Sequence, residues 1–304
     1  MRAYAYTQYG GPETQQFMDL PKPSPGSGQL LVVVRAAGVN PADWKRRAGL
    51  RRQTESLEQP VAHGLEVAGV VEEVGPGVEG FHAGDEVFGS VVGGGGYAEY
   101  ALLSTDQAAH KPASVSFADA ATLPVAAATA YDGVHQLDLK PGETLLILGV
   151  GGGVGVAAAQ IARNLGANVV GTASERKKGF VESLGATQVT YGPGVADRVQ
   201  AAAPKGVDAI FDLIGGDELR SVAGLVADKK RMTTAADMAT NQELGGAPLA
   251  RARNSAVLEA VAQMVQDGTL EPHVTEVFPL DKADAALQLV EDGHATGKVV
   301  LEMA

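Results

Sequence analysis

One stretch restricts this chain more than any other. In LLILGVGGGVGVAAAQ, residues 145–160, an apolar run meets five glycines within the seven positions 149–155 and then an alanine-rich run. The pattern reads as strand, tight turn and helix. At such a junction the N–H groups of the first helical turn lack helical partners and point outward, and the helix dipole adds partial positive charge, so the turn is an anion site. Side chains at Gly152, Gly153 or Gly155 would obstruct an arriving phosphate or the strand beneath. A tight connection with incidental glycines is the plainer reading, but so many glycines at the first strand of an alternating series favour the pyrophosphate of a dinucleotide. The match to the G-x-G-x-x-G fingerprint is a variant: with its last two glycines on Gly152 and Gly155, its first position holds Val150.

From residue 145 onward, strands are predicted at 145–149, 168–172, 187–190, 208–212 and 230–234. Helices fill the gaps at 153–165, 175–184, 195–203 and 216–227, with another at 253–267. Such alternation builds a parallel sheet covered on both faces. The first helix is apolar nearly all round (Val154, Val156, Ala157, Ala158, Ile161, Leu165), which predicts burial, and Gly166 ends it. Before about residue 105 the apolar runs are short, rich in valine and divided by Gly and Pro, at 30–34, 67–78, 85–92 and 97–103. These argue an all-β, barrel-like domain. Helical composition starts after Ser116, an N-cap candidate, with a break at Pro124. The tail HVTEVFPL…GKVVLEM returns to strand character and is expected to close against the β domain. The polar stretch ATNQELGGAPLAR is the one candidate for disorder. The expected division is 1–117, completed by 272–304, and 118–271 as the dinucleotide-binding domain.

The tip of the second strand separates two cofactors. An acid there bonds a ribose 2′-hydroxyl and selects NAD, whereas small hydroxylated and basic residues accommodate a 2′-phosphate. NVVGTASERKKGF puts Thr172 at the tip, followed by Ser174, Arg176, Lys177 and Lys178. Glu175 stands near the spacing of the acid but lies beyond the tip, flanked by those cations. The run ERKK is either a charge-assisted phosphate site or a solvated helix start; the first reading, which selects NADPH, is favoured.

A formal net charge of −12 disfavours the phosphate backbone of a nucleic acid and an anionic membrane surface as partners. The absence of cysteine excludes disulfides, thiolate nucleophiles and thiolate-held metals. No stretch approaches a membrane span and the opening MRAYAYTQYGGPE lacks an apolar run, so a cytoplasmic location is expected. The six histidines show no metal-ligand spacing. Lys45, Arg46, Arg47, Arg51 and Arg52 either steer an anionic cofactor or substrate or form a solvated loop face. VGGGGYAEY reads as a mobile rim or a glycine-rich hairpin.

Several segments carry a resemblance over almost the whole chain: YGGPE (9–13), RAAGVNPADWKRRAG (35–49), EVAGVVEEVGPGVEGFHAGDEVFG (66–89), GGYAEY (95–100), ATLPVAAATAYDGV (121–134), GGVG (152–155), GTASERKK (171–178) and GKVVL (297–301). The chain resembles the zinc-free, quinone oxidoreductase-like branch of the medium-chain dehydrogenases/reductases. The resemblance implies a GroES-like β-barrel catalytic domain plus a Rossmann-type doubly wound parallel-sheet domain. It also implies no metal. The Cys and His that hold catalytic zinc in other members fall on Asn40 and Leu65, with His63 two residues upstream, whereas such a zinc needs about three N, S or carboxylate ligands. Implied cofactor contacts are Asn40, Thr129, Tyr191, Ile214 and Gly215. They join Gly152, Gly153, Val154 and Gly155 of the turn and Thr172, Ser174, Arg176 and Lys177 of the tip. Plainer readings exist: Asn40 as a turn former before Pro41, Thr129 bonding its own backbone, Tyr191 as packing. Members of the branch usually form homodimers.

Without a Lewis acid an isolated ketone is hard to reduce, whereas a conjugated acceptor delocalises the developing charge. The expected activity is NADPH-dependent hydride transfer to a quinone or an α,β-unsaturated carbonyl, with Asn40 and Asp43 as catalytic candidates. No dedicated proton donor stands out among Tyr4, Tyr6, Asn40, Asp43, Tyr97 and Tyr131. Two alternatives remain: an NADPH-binding sensor or structural protein with vestigial reductase activity, and a reductase of carrier-bound acyl groups.

Overall fold

The computed structural model describes residues 1–50 and 60–303. Its chain runs β1 (Arg2–Tyr6), β2 (Gln15–Asp19), β3 (Gln29–Val39), α1 (Pro41–Arg47), β4 (Val61–Ala62), β5 (Glu66–Val74), β6 (Glu86–Val91), β7 (Tyr100–His110) and α2 (Phe117–Ala120). A π-helical turn, Leu123–Ala127, leads to α3 (Ala128–Gln136). Then follow β8 (Thr144–Leu148), α4 (Gly153–Asn164), β9 (Asn168–Ala173), α5 (Lys178–Ser183), β10 (Thr187–Thr190), α6 (Val195–Ala202), β11 (Ala209–Asp212), α7 (Gly216–Val222), β12 (Met232–Thr234) and α8 (Met238–Glu243). The chain closes with α9 (Ser255–Gln266), β13 (Val274–Pro279), α10 (Ala283–Glu291) and β14 (Lys298–Glu302).

Two compact units result. One comprises Met1–Val125, Arg253–Gln266 and His273–Ala304, the other Ala126–Ala252 and Asp267–Pro272. Compared with the division expected from sequence, residues 118–125 and α9 group with the first unit.

In the first unit, β3 pairs antiparallel with β5 on one side and with β14 on the other. It also pairs with β7, and since β5–β6–β7 is continuous, these four strands close on themselves as a barrel. Closure needs one apolar face, and β3 supplies it by alternation, with Leu30, Val32 and Val34 in the core beside Val67, Val71, Val87 and Leu103. The C-terminal tail joins this sheet as expected, with β14 against β3 and β13 parallel to β14. A smaller sheet has the order β2-β1-β4. Helix α10 covers the same core with Ala283, Ala286, Leu287 and Val290, one face at helical spacing.

The second unit holds five parallel strands in the order β10-β9-β8-β11-β12. β8 is buried on both faces, which is why its sequence is a continuous apolar run rather than an alternation. The sheet grows from β8 toward β10 and then restarts at β11 on the other side, so its topological switch lies at the C-terminal ends of β8 and β11. In this unit strand and helix bounds agree with the sequence reading to within two residues, except that 175–184 opens as a 3₁₀ turn, Glu175–Lys177, and 216–227 closes as one, Ala223–Leu225; in the first unit the apolar runs at 30–34 and 97–103 belong to the longer strands β3 and β7. The first part of the stretch expected to be disordered, as far as Glu243, instead belongs to α8. Asp237 caps it, accepting from Thr240 N–H at 3.1 Å, and buried Asn241 donates Nδ2–H to Ala247 O at 2.8 Å. Among the described residues no helix is long and apolar enough to cross a membrane.

The basic cluster divides. Arg47 is buried, not solvated: its guanidinium makes a bidentate pair with Glu291 (2.8 and 3.0 Å) and donates to Gly10 O and Gln15 Oε1. It pins α1 to α10. Arg46 donates to Gly93 O at 2.5 Å and so braces the glycine-rich segment expected to be a rim. Arg51 and Arg52 lie outside the described residues. Truncating Arg47 strands a carboxylate and two further acceptors, so Arg47→Met is expected to lower the unfolding free energy by about 3 kcal/mol in urea titrations, and Arg46→Met by far less.

Candidate functional site

The glycine turn is built by close approach. A Cβ at Gly155 would lie 2.6 Å from Gly149 O and 2.6 Å from Val150 Cα, so only glycine lets the first turn of α4 seat on the end of β8. At Gly152 the nearest heavy atom to such a Cβ is Gly149 O at 3.7 Å, which leaves that face of the helix start open to a ligand. Val150, the departure from the fingerprint, points inward and packs on Gly171 of β9. Gly149 supplies the left-handed residue of the turn instead, with φ +81°. Gly153 and Val154 open α4 behind it.

At the tip of β9, Thr172 is buried, accepts the Gly149 N–H at 3.0 Å and donates to Glu218 Oε1 at 2.7 Å. Its hydroxyl braces the turn rather than facing solvent. Ser174 differs: its Oγ is buried with no hydrogen-bond partner. Lys177 lies beside it; a Cβ on Gly151 would meet the Lys177 stem at 2.9 Å, so the glycine makes room for the lysine. Burial, with Arg176 next to it, holds the Lys177 ammonium below the usual lysine range, so a nearby anion is favoured. Glu175 turns away, its Oε2 accepting from Thr190 Oγ1 at 3.0 Å.

The loop after β10 is gathered by Arg198, which donates to the carbonyls of Thr190, Tyr191, Gly192 and Pro193 and leaves the Tyr191 ring 53% exposed. After β11, Asp212 Oδ1 accepts from Ile214 N–H (3.0 Å) and Gly215 N–H (2.8 Å), and its Oδ2 accepts from Thr234 Oγ1. Those two amides are therefore committed, and Ile214 is exposed. Thr129 stands in the first turn of α3, nearly buried. Arg198, Asp212 and Glu218 were not singled out from sequence; as charged residues near strand ends they carry no motif.

In the first unit, antiparallel pairing brings the end of β3 and the starts of β5 and β14 to one end of the sheet. Asn40, Glu66 and Lys298 occupy those positions, all buried. Lys298 Nζ donates to Asn40 Oδ1 (2.7 Å) and Glu66 Oε1 (2.8 Å), and Asn40 Nδ2 donates to Glu66 Oε1 (2.7 Å). Glu66 Oε2 accepts the Val125 N–H at 2.7 Å, from the π-helical turn. Gly38 must be glycine, because a Cβ there would collide with Glu66 and with Ala121 O.

Asp43 closes the other side. Its Oδ2 accepts Asn40 N–H at 2.8 Å and Tyr97 Oη–H at 2.8 Å, an N-cap arrangement for α1. Burial pushes Asp43 up to about 7 and Tyr97 well above the usual phenol range. Asp43 is 2% exposed and holds the Asn40 backbone through Oδ2, while its Oδ1 has no hydrogen-bond partner. His63 lies among the rings of Tyr4, Tyr6 and Tyr97 and is pushed down to about 3 by burial, then by Arg47 and Arg46, so it is neutral at physiological pH. Tyr4, pushed up to about 12 by burial, is no ready proton donor.

Comparison with known proteins places the chain. Residues 26–113 match the alcohol dehydrogenase GroES-like domain, and 184–301 match a family described as zinc-binding dehydrogenase. Quinone oxidoreductase of Sus scrofa is 33% identical, covering 99% of this chain and 97% of that protein. The 2-methylene-furan-3-one reductase of Solanum lycopersicum is 31% identical, covering 99% and 79%. Among solved structures, Escherichia coli quinone oxidoreductase complexed with NADPH superposes with a TM-score of 0.89 at 25% identity, covering 99% of this chain and all of that one. The chain is a medium-chain dehydrogenase/reductase. It belongs to the quinone oxidoreductase-like family, with the GroES-like and Rossmann-type folds expected.

The zinc in that family description does not suit these residues. Asn40 and Glu66 already coordinate an ammonium, and among the described residues no group of three or more His, Asp or Glu could hold a metal ion. A dinucleotide suits the other unit, where an orphaned hydroxyl, a lysine and an open helix start converge.

The Asp43 position generates a pH test. Its folded-state pKa lies above the unfolded value of 3.8, so the ionised form costs the fold; stability falls as pH rises from about 4 to about 7 and then levels. In urea titrations at pH 5 and pH 8, Asp43→Asn is expected to shrink the loss seen in the wild type by about 3 kcal/mol. Parallel pH profiles for the two proteins would contradict this.

Proposed function

We propose that the protein is an NADPH-dependent reductase of quinones or α,β-unsaturated carbonyls that works without a metal. The orphaned Ser174 Oγ beside Lys177 carries this reading, because it prepares a site for a 2′-phosphate at the tip of β9. Arg176, Gly152, Gly153, Val154 and Gly155 complete the phosphate contacts in the proposal. The turn of α4 offers amides to the pyrophosphate, and Thr172 supports that turn from beneath. The exposed Tyr191 ring is assigned to the adenosine end. The family resemblance supports Asn40, Thr129, Ile214 and Gly215 as further cofactor contacts.

Hydride comes from NADPH when it is bound. The protein's share is to hold the cofactor by its phosphates, and to offer fixed hydrogen-bonding groups where negative charge gathers on the acceptor oxygen. Asn40 is the catalytic residue in this proposal, with Asp43 holding its backbone. Asp43 is buried, at 2% exposure, so the proton that completes reduction is assigned to water. A cytoplasmic location and a homodimer are likewise proposed from the family, and the net charge of −12 supports partners other than nucleic acid or membrane.

The test is NADPH oxidation with an ortho-quinone and an open-chain enone as acceptors, EDTA present throughout. Turnover of both, with none for a saturated ketone, is expected. Cofactor binding without turnover of any conjugated acceptor would favour the sensor reading. Ser174→Asp with Lys177→Glu is expected to raise KM for NADPH at least about tenfold while leaving KM for NADH within about twofold. Equal losses would remove the 2′-phosphate assignment.

A further inference from the structure

The buried cation of the first unit has no part in the reading above, although its geometry is closely specified. We infer that Lys298 is the site's own positive charge: a positioning residue that fixes and polarises the Asn40 amide at the place where zinc-dependent members of this superfamily hold their metal. The inference rests on the reductase reading.

The orientation of the amide follows from its neighbours. An ammonium can only donate and a carboxylate can only accept, so Lys298 must meet Asn40 Oδ1 and Glu66 must meet Nδ2. A flipped amide would set donor against donor and acceptor against acceptor. The cation is held as firmly: Lys298 Nζ reaches Asn40 Oδ1 at 2.7 Å, Glu66 Oε1 at 2.8 Å and Val39 O at 3.4 Å, all oxygen. Glu66 is itself fully engaged, since Oε2 takes the Val125 N–H. A buried pair so completely bonded is a rigid element.

What it leaves to Asn40 is specific. The second Nδ2–H reaches only Gly38 O, at 3.4 Å, and Oδ1 keeps one lone pair. The ammonium draws electron density toward Oδ1, which strengthens that N–H as a donor to an oxygen gaining negative charge. A zinc ion would polarise such an oxygen directly. Here a fixed ammonium acts through one amide.

The competing role is purely structural, since the pair also ties the start of β14 to β3 and β5. Two variants separate the roles. Lys298→Met strands the Glu66 carboxylate, so both the melting temperature and kcat are expected to fall. Adding Glu66→Gln removes that stranded charge, and the double variant is expected to regain most of the melting temperature. Its kcat should stay at least about tenfold below wild type, with the NADPH dissociation constant within about twofold. A double variant with wild-type kcat would make the pair structural only and overturn the inference. The Asn40 side-chain amide resonances, read in protein labelled with ¹⁵N-asparagine, test the same point without turnover. They are expected to shift in the double variant, and unchanged resonances would also overturn it. If the wild type binds NADPH but reduces no conjugated acceptor while those resonances do shift, the reductase reading fails and the positioning of Asn40 by Lys298 stands.

Discussion

The dinucleotide-binding unit depends on one close approach, that of Gly155 at the start of α4 to Gly149 O and Val150 at the end of β8. No side chain larger than hydrogen leaves room for it. Because the helix seats there, its first amides open toward the C-terminal end of the sheet, at the switch point between β8 and β11, where a parallel fold of this order leaves a crevice. The turn on the β8 side is braced by Thr172 and the one on the β11 side by Asp212. Ser174 Oγ, one of the buried polar atoms without a hydrogen-bond partner, stands just after β9 in this unit.

The barrel unit follows another constraint, the burial of charge. Antiparallel pairing gathers three strand ends, and each contributes a polar side chain to one enclosed place. A buried carboxylate is tolerated there only because an ammonium and an amide meet it, and Gly38 is required to let it in. The same logic explains Arg47 against Glu291 and the neutral His63 among tyrosines. Of the residues that look like a loose basic patch in sequence, Arg46 and Arg47 become individual structural parts once their partners are seen.

Much of the fold was legible because it is periodic. The apolar run of β8, the alternation in β3 and the helical spacing of α10 each follow from which faces are buried. The glycine turn was legible as a motif, although its left-handed residue is Gly149, one place before the nominal start of the fingerprint. Lys298, Glu66, Asp212 and Arg198 were not legible as site residues. Their partners lie far away in the chain, as between Lys298 and Asn40, and no local pattern marks a charge that will be buried. Asp43 was singled out from sequence, but its capping box with Asn40 and its bond from Tyr97, far away in the chain, appear only in the fold.

The central claim is that the open start of α4 and the Ser174–Lys177 tip together hold a dinucleotide carrying a 2′-phosphate. Calorimetric titration of the EDTA-treated wild-type protein with NADPH and with NADH tests it most directly. One NADPH per chain is expected, bound at least about tenfold more tightly than NADH. Equal affinities, or no binding of either, would contradict it.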